Sequence, residues 1–170
     1  DTFGEMEKEA EKIISHADNI YVKIPITNTK GESSLELIRK LLDRNFKVNV
    51  TAILSQSQLN NLINILQPKD DVFISYFAGR VADTGIDPIP VMTDLQKKIN
   101  LKQLEKSQIL WASPREVFNI YQASSLGIDI ITVTKNLIDK LSLENKDLDQ
   151  YSIETVKMFF QDAQKNNLKI

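Results

Sequence analysis

The sequence predicts an α/β fold of parallel strands alternating with helices, arranged as a (β/α)8-type barrel rather than a doubly wound open sheet. Short runs rich in β-branched residues alternate with longer stretches of helical periodicity along the chain, which is the pattern of βα units. No Gly-x-Gly-x-x-Gly turn follows a strand-like run, so the main signal for a dinucleotide-binding open sheet is missing. Each strand also has one apolar face and one face that turns polar towards its C-terminal end, as in a barrel whose mouth holds the site.

In chain order, Met6, Ala10, Ile13, Ile14 and Ala17 predict a helix before the first strand. His16, the chain's single histidine, falls at its end, where the helix dipole favours it. Ile20-Tyr21-Val22-Lys23-Ile24 is the first strand, with Val22 and Ile24 on one face and Tyr21 and Lys23 on the other. Leu35, Ile38, Leu41 and Leu42 mark a helix, and Lys47-Val48-Asn49-Val50-Thr51 is the second strand, with Asn49 and Thr51 opposite its valines. Leu59, Leu62, Ile63 and Leu66 mark the next helix. In the third strand, Val72-Phe73-Ile74-Ser75-Tyr76, the residues Phe73, Ser75 and Phe77 alternate with Ile74 and Tyr76. A helix over 91–104 leads to a fourth strand, Ile109-Leu110-Trp111-Ala112-Ser113, whose Trp111 and Ser113 share a face and whose Trp111 is expected to fill the barrel interior. Val117, Ile120, Tyr121 and Ser124 continue as a helix with Gly127 as its C-cap. A fifth strand, Ile128-Asp129-Ile130-Ile131-Thr132-Val133, precedes a short helix over 135–141, a solvated loop around Glu144-Asn145-Lys146-Asp147 and a last helix over 152–166. No linker or low-complexity stretch interrupts the pattern, so one domain over 1–170 is expected.

Composition narrows the function. With 42% apolar and 26% charged residues, the 170-residue chain has an ordinary globular balance and can bury a core. A net charge of -2 leaves no basic surplus for nucleic-acid phosphates. The absence of cysteine excludes disulfides, zinc-thiolate sites and thiol nucleophiles, and a single histidine has no second one with which to build a metal site. No apolar run approaches the roughly 18 residues of a membrane span, so no membrane partner is expected. Asp1-Thr2-Phe3-Gly4-Glu5 is too acidic and polar for a signal peptide, which makes the cytoplasm the default compartment.

Lys23 is the informative oddity, a charge within an apolar strand. Many such lysines merely reach solvent. This one lies at the C-terminal end of its strand, on the polar face, just before Pro25 and Thr27 open a loop. A lysine amine there can attack a ketone and form an iminium ion, which withdraws electrons from the adjacent C–C bond. Only a neutral amine attacks, and at an ordinary pKa of about 10.4 roughly one in a few thousand is neutral at pH 7. Withdrawing such an amine from water raises that fraction, and apolar flanking strands are expected to do so. Asn49 and Thr51 offer an amide and a hydroxyl beside it. Arg80 and Arg115 follow the third and fourth strands closely enough to clamp a phosphate, with the Ser113 hydroxyl adding a contact. Asp83 either pairs with Arg80 or lies on the loop surface.

These stretches, Val22-Lys23-Ile24-Pro25-Ile26-Thr27, Asn49-Val50-Thr51-Ala52-Ile53, Ser75-Tyr76-Phe77-Ala78-Gly79-Arg80-Val81-Ala82-Asp83 and Ala112-Ser113-Pro114-Arg115, occur in an order and spacing that resembles the transaldolase family, in particular its short single-barrel branch with fructose-6-phosphate aldolase-like members. The resemblance implies that Lys23 is the Schiff-base lysine and that Asn49 and Thr51 are active-site residues, with Thr51 placing the catalytic water. It implies sugar-phosphate contacts from Ser75, Arg80, Ser113 and Arg115. The implied reaction moves a dihydroxyacetone unit between sugar phosphates, as in the pentose phosphate pathway, or cleaves fructose 6-phosphate, with no metal or organic cofactor. It further implies a TIM barrel represented here by strands four to eight, without the strand that carries the family's acid/base aspartate. Two open sheet edges would then call for another chain, a homo-oligomer or a preceding segment. The competing expectation is a non-catalytic sugar-phosphate-binding barrel, or an inactive fragment.

Overall fold

The computed structural model describes residues 1–166. The chain divides into two compact units, Asp1–Thr134 and Lys135–Ile170. In the first unit, β1 (Val22–Pro25), β2 (Val48–Ile53), β3 (Val72–Tyr76), β4 (Ser107–Trp111) and β5 (Ile130–Ile131) form one sheet in the order β1-β2-β3-β4-β5. Every neighbouring pair is parallel. A doubly wound sheet reverses its strand order at a switch point, and this one does not, so the five-stranded sheet is consistent with part of a TIM barrel. Helix α1 (Phe3–Ile14) precedes β1. The strands are joined by α2 (Leu35–Asp43), α3 (Gln56–Ile65), α4 (Ala78–Ala82) with α5 (Ile89–Leu101), and α6 (Phe118–Ser125).

Local chemistry fixes the helix ends. At α1 the Thr2 hydroxyl accepts from the Glu5 N–H at 3.3 Å, while the Glu5 carboxylate accepts from the Thr2 N–H at 2.9 Å, a reciprocal capping box. The Thr2 N–H, then the Thr2 hydroxyl and the N-terminal ammonium, all donating to the Glu5 carboxylate, hold it down at about 2. Ser55 and Gln58 repeat the device at α3. Gly127, one residue past the α6 C-cap, takes φ +66, the left-handed conformation that glycine adopts without penalty.

Side-chain parity builds the core. Val22, Val48 and Val72 stand in one register row and Ile24, Val50, Ile74 and Ile109 in another, all buried. Against them pack the apolar stripes of the helices, such as Leu37, Ile38, Leu41 and Leu42 of α2. Trp111 corrects the sequence expectation. It pairs with Tyr76 and Ile131, shares parity with Ile109 and belongs to this helix-covered core rather than to the face of Lys23. Leu110, paired with Ser75, holds the place on the Lys23 face instead. Parity within a strand cannot say which face is which, and a one-residue change of register flips every side chain.

The sheet is tied to its surroundings by a buried ion pair. Asp70, 3% exposed, receives both Arg39 nitrogens, Nη1 at 2.6 Å and Nη2 at 2.9 Å, and the N–H of Gln67 at 2.8 Å. Arg39 also donates to the Ile65 carbonyl at 2.9 Å, so α2 is pinned to the α3–β3 connection. Burial alone would raise the Asp70 carboxyl, but the Arg39 fork and the Gln67 N–H outweigh it and hold the carboxyl below its ordinary value.

Several boundaries differ from the sequence reading. The short α4 lies where only a loop was expected, and α5 starts at Ile89, with proline in its first turn. β5 spans only Ile130–Ile131, and on its N-terminal side the Asp129 carboxylate accepts the Ile109 N–H at 2.8 Å where a strand would offer a carbonyl. In the second unit, α7 (Lys135–Lys140), a short 3-10 turn (Leu141–Leu143) and α8 (Leu148–Lys165) follow one another. The Asp147 carboxylate accepts from the Gln150 N–H at 2.8 Å, so α8 begins earlier than the hydrophobic pattern alone suggested. No described helix is long and apolar enough to cross a membrane.

Candidate active site

Lys23 and Asn49 are register partners on adjacent strands, and the same row continues through Phe73 to Gln108. One step towards the C-terminal ends on that face come Thr51, paired with Pro25, and Ser75, paired with Leu110. The sheet therefore brings Lys23, Asn49, Thr51 and Ser75 onto one face of three adjacent strands. The face is more open in its first row, where Lys23 is exposed and Asn49 half-buried, than in the next, where Thr51 and Ser75 are buried. The apolar enclosure expected around Lys23 is not supplied by the described residues, because β1 is an edge strand with a neighbour on one side only.

The polar groups on this face are incompletely paired. The Ser75 hydroxyl donates to the Asn49 side-chain oxygen at 2.7 Å, which orients the Asn49 amide with its NH2 group unbonded among the described residues. The Thr51 hydroxyl is buried and has no partner among them. An orphaned buried hydroxyl costs about 1–3 kcal/mol, which makes it a ready partner for a water or a substrate oxygen. Local backbone strain accompanies it. The register between β2 and β3 shifts between Val50 and Ile53, and Ala52, inside that bulge, holds φ +59. Towards the N-terminal end of the same face, Tyr21 stacks on Phe73 with centroids 3.7 Å apart. Its hydroxyl donates to Asp71 at 2.5 Å, and burial together with that carboxylate pushes Tyr21 up to about 12.

The arginines sit on two loops that touch. Gly79, in the first turn of α4, lies so close to the Ser113 carbonyl that a Cβ would stand 1.5 Å from its oxygen. The Gly79 N–H donates to the Ala112 carbonyl at 3.4 Å, and Ser113 turns the chain with φ +60. The Phe77–Asp83 segment and the Ala112–Arg115 segment are thus joined beyond the ends of β3 and β4. Arg80 is exposed, its guanidinium over the Phe77 ring at 5.2 Å, with no carboxylate partner among the described residues. Asp83 pairs with Arg115, not with Arg80: Nε donates at 3.1 Å and Nη2 at 2.5 Å. Asn119, 8% exposed, accepts the N–H groups of Arg115 at 2.8 Å and Glu116 at 3.2 Å through its side-chain oxygen. Sequence reasoning passed over Gly79 and Asn119. The signal for Gly79 was present, a glycine directly before an arginine that a strand delivers. Asn119 had none, since one asparagine in a helical stretch reads as surface.

Chemically, the face offers a primary amine, an oriented amide, two hydroxyls and, on the adjoining loops, two guanidiniums, a set suited to a carbonyl compound that also bears an anion. Among the described residues no three His, Cys, Asp or Glu side chains come together in a way that could hold a metal ion.

The sequence model of the family "Transaldolase/Fructose-6-phosphate aldolase" matches residues 1–170. A probable transaldolase of Thermoplasma volcanium is 31% identical over 146 residues, covering 85% of this chain and 60% of the relative. One from Nitrosopumilus maritimus is 28% identical over 140 residues, covering 82% and 59%. One from Paracoccus denitrificans is 32% identical over 158 residues, covering 91% and 68%. The chain spans about three fifths of the length of the first two.

Proposed function

The chain belongs to the transaldolase/fructose-6-phosphate aldolase family, and on that premise we propose that the whole protein is a class I aldolase or transaldolase acting on sugar phosphates through a Schiff base at Lys23. The observation that carries the reading is the shared face of Lys23, Asn49, Thr51 and Ser75 across three neighbouring parallel strands. The Lys23 amine adds to the substrate ketone, the carbinolamine loses water, and the resulting iminium draws the electron pair of the adjacent C–C bond as that bond breaks. An aldehyde leaves, and the enamine left on Lys23 takes up a second aldehyde or a proton. Water then returns the amine. Thr51, whose buried hydroxyl has no partner among the described residues, holds that water. Asn49, oriented by Ser75, donates its free NH2 to a substrate hydroxyl. Arg80 and Arg115, with Ser113, take the phosphate.

In this reading residues 1–170 are one partial barrel domain, and the five strands are the last five of about eight. The carboxylate that the family uses for proton transfer would then come from the first of the remaining strands. Turnover by the full-length protein tests the proposal. Fructose 6-phosphate should be cleaved, or its dihydroxyacetone unit moved to an added aldose phosphate, and Lys23→Ala should abolish both. Phosphate-ester binding that needs Arg80 and Arg115 but brings no C–C bond cleavage would show a binding protein instead.

A further inference from the structure

Arg115 is held far more closely than a surface arginine needs to be. Its backbone N–H is fixed by the buried Asn119 side chain at 2.8 Å. Its guanidinium meets the Asp83 carboxylate along one edge, with Nε at 3.1 Å and Nη2 at 2.5 Å. Asp83 reaches it because the missing Cβ of Gly79 lets the two loops touch at the Ser113 carbonyl. The pair has side chains 49% and 50% exposed, a setting in which an ion pair adds little to stability. What it does fix is the direction of a side chain that would otherwise sample many rotamers. The Nη1 group and one Nη2 N–H have no partner among the described residues.

We propose that Asp83 is a positioning residue for anion binding: it clamps the Nε/Nη2 edge of Arg115 so that the Nη1/Nη2 end is presented, already ordered, to the phosphate of the substrate. The inference rests on the sugar-phosphate reading above and deepens it. A carboxylate beside a phosphate site is repulsive by charge alone, so its presence is explained only if orientation outweighs repulsion. That conflict makes the two effects separable. Removing the carboxylate altogether loses the clamp and the repulsion together. Replacing it by an amide removes the charge but keeps an oxygen to accept the Nε–H.

The test titrates inorganic phosphate into the full-length protein and its Asp83→Ala, Asp83→Asn and Arg115→Ala variants, with melting temperature as a check on folding. Asp83→Ala should weaken phosphate binding by roughly three- to tenfold, the cost of immobilising a rotamer-rich side chain at the moment of binding. Asp83→Asn should restore binding to at least the wild-type level. With fructose 6-phosphate the loss should fall on KM rather than on kcat. Unchanged or tighter phosphate binding in Asp83→Ala overturns the proposal and makes Asp83 a bystander or a competitor for Arg115. If Arg115→Ala weakens phosphate binding while Asp83→Ala does not, the phosphate-site reading stands and this inference falls. If Arg115→Ala has no effect, both fall.

Discussion

Replacing Gly79 by alanine puts a methyl carbon 1.5 Å from the Ser113 carbonyl oxygen, 2.6 Å from the carbonyl carbon and 3.3 Å from Cγ of Arg115. Carbon and oxygen approach no nearer than about 3.3 Å, so the two loops must part by nearly 2 Å, and the clashing atoms are backbone that cannot swing aside. Over-packing of this kind costs about 1–3 kcal/mol, and a backbone obstacle puts Gly79→Ala at the upper end or beyond. The parting also breaks the Gly79–Ala112 hydrogen bond and pulls Asp83 away from Arg115, so phosphate affinity should fall along with stability. Gly4→Ala is the matched control: nothing lies within 4 Å of its Cβ, and the residue sits inside α1. There alanine should stabilise by about 0.5–1 kcal/mol through the unfolded state and better helix propensity. Urea unfolding of the two variants should therefore move in opposite directions. Equal midpoints for Gly79→Ala and wild type would refute the close approach and, with it, the account of how the arginine loops are joined.

The Arg39–Asp70 pair and the strained Ala52 give further tests. Asp70→Asn should cost about 3 kcal/mol by urea unfolding, the lower end for a broken buried pair, because the partly buried Arg39 guanidinium keeps only the exposed Asp43 carboxylate as counter-ion. Since the folded state holds the Asp70 carboxyl below its ordinary value, that contribution is complete above the unfolded carboxylate range near pH 4 and disappears as pH falls through the lowered folded value. The stability gap between wild type and Asp70→Asn should therefore close in acid, and a gap that stays constant there contradicts the pairing. Ala52→Gly should raise stability by about 1 kcal/mol or less, as glycine takes φ +59 without the Cβ penalty. Ala52→Val, with a branched side chain at the same angle, should lower it, and the same unfolding curves decide.

Most of the strand architecture was legible because strands buried beneath helices must alternate apolar and polar faces, and Val22, Val48, Val50, Val72 and Ile74 obey that rule without exception. Lys23, Asn49 and Thr51 stood out for the same reason, as polar residues at regular places on the opposite faces, whereas Ser75, between Phe73 and Phe77 on its face, was marked only by the family resemblance. Trp111 was misplaced because alternation inside β4 does not fix its register against β3, and only the pairing of Tyr76 with Trp111 does. β5 starts later than expected because propensity cannot foresee a side chain, Asp129, accepting a ladder hydrogen bond. Helix α4 was invisible for a different reason. Its five residues are too few to show a period, and what holds it is a tertiary contact, Gly79 against Ser113. The partner of Asp83 lay beyond the sequence too, since the choice between Arg80 and Arg115 depends on which loop packs beside α4.

A covalent imine between Lys23 and a ketose phosphate is the chemical core of the proposed function. Incubating the full-length protein with fructose 6-phosphate and borohydride, digesting it and sequencing the peptides by mass spectrometry tests that claim without requiring turnover. A reduced, substrate-derived adduct is expected, confined to the peptide bearing Lys23 and missing from Lys23→Ala. A protein that stays unmodified under these conditions, or an adduct that persists at another lysine when Lys23 is replaced, would contradict it.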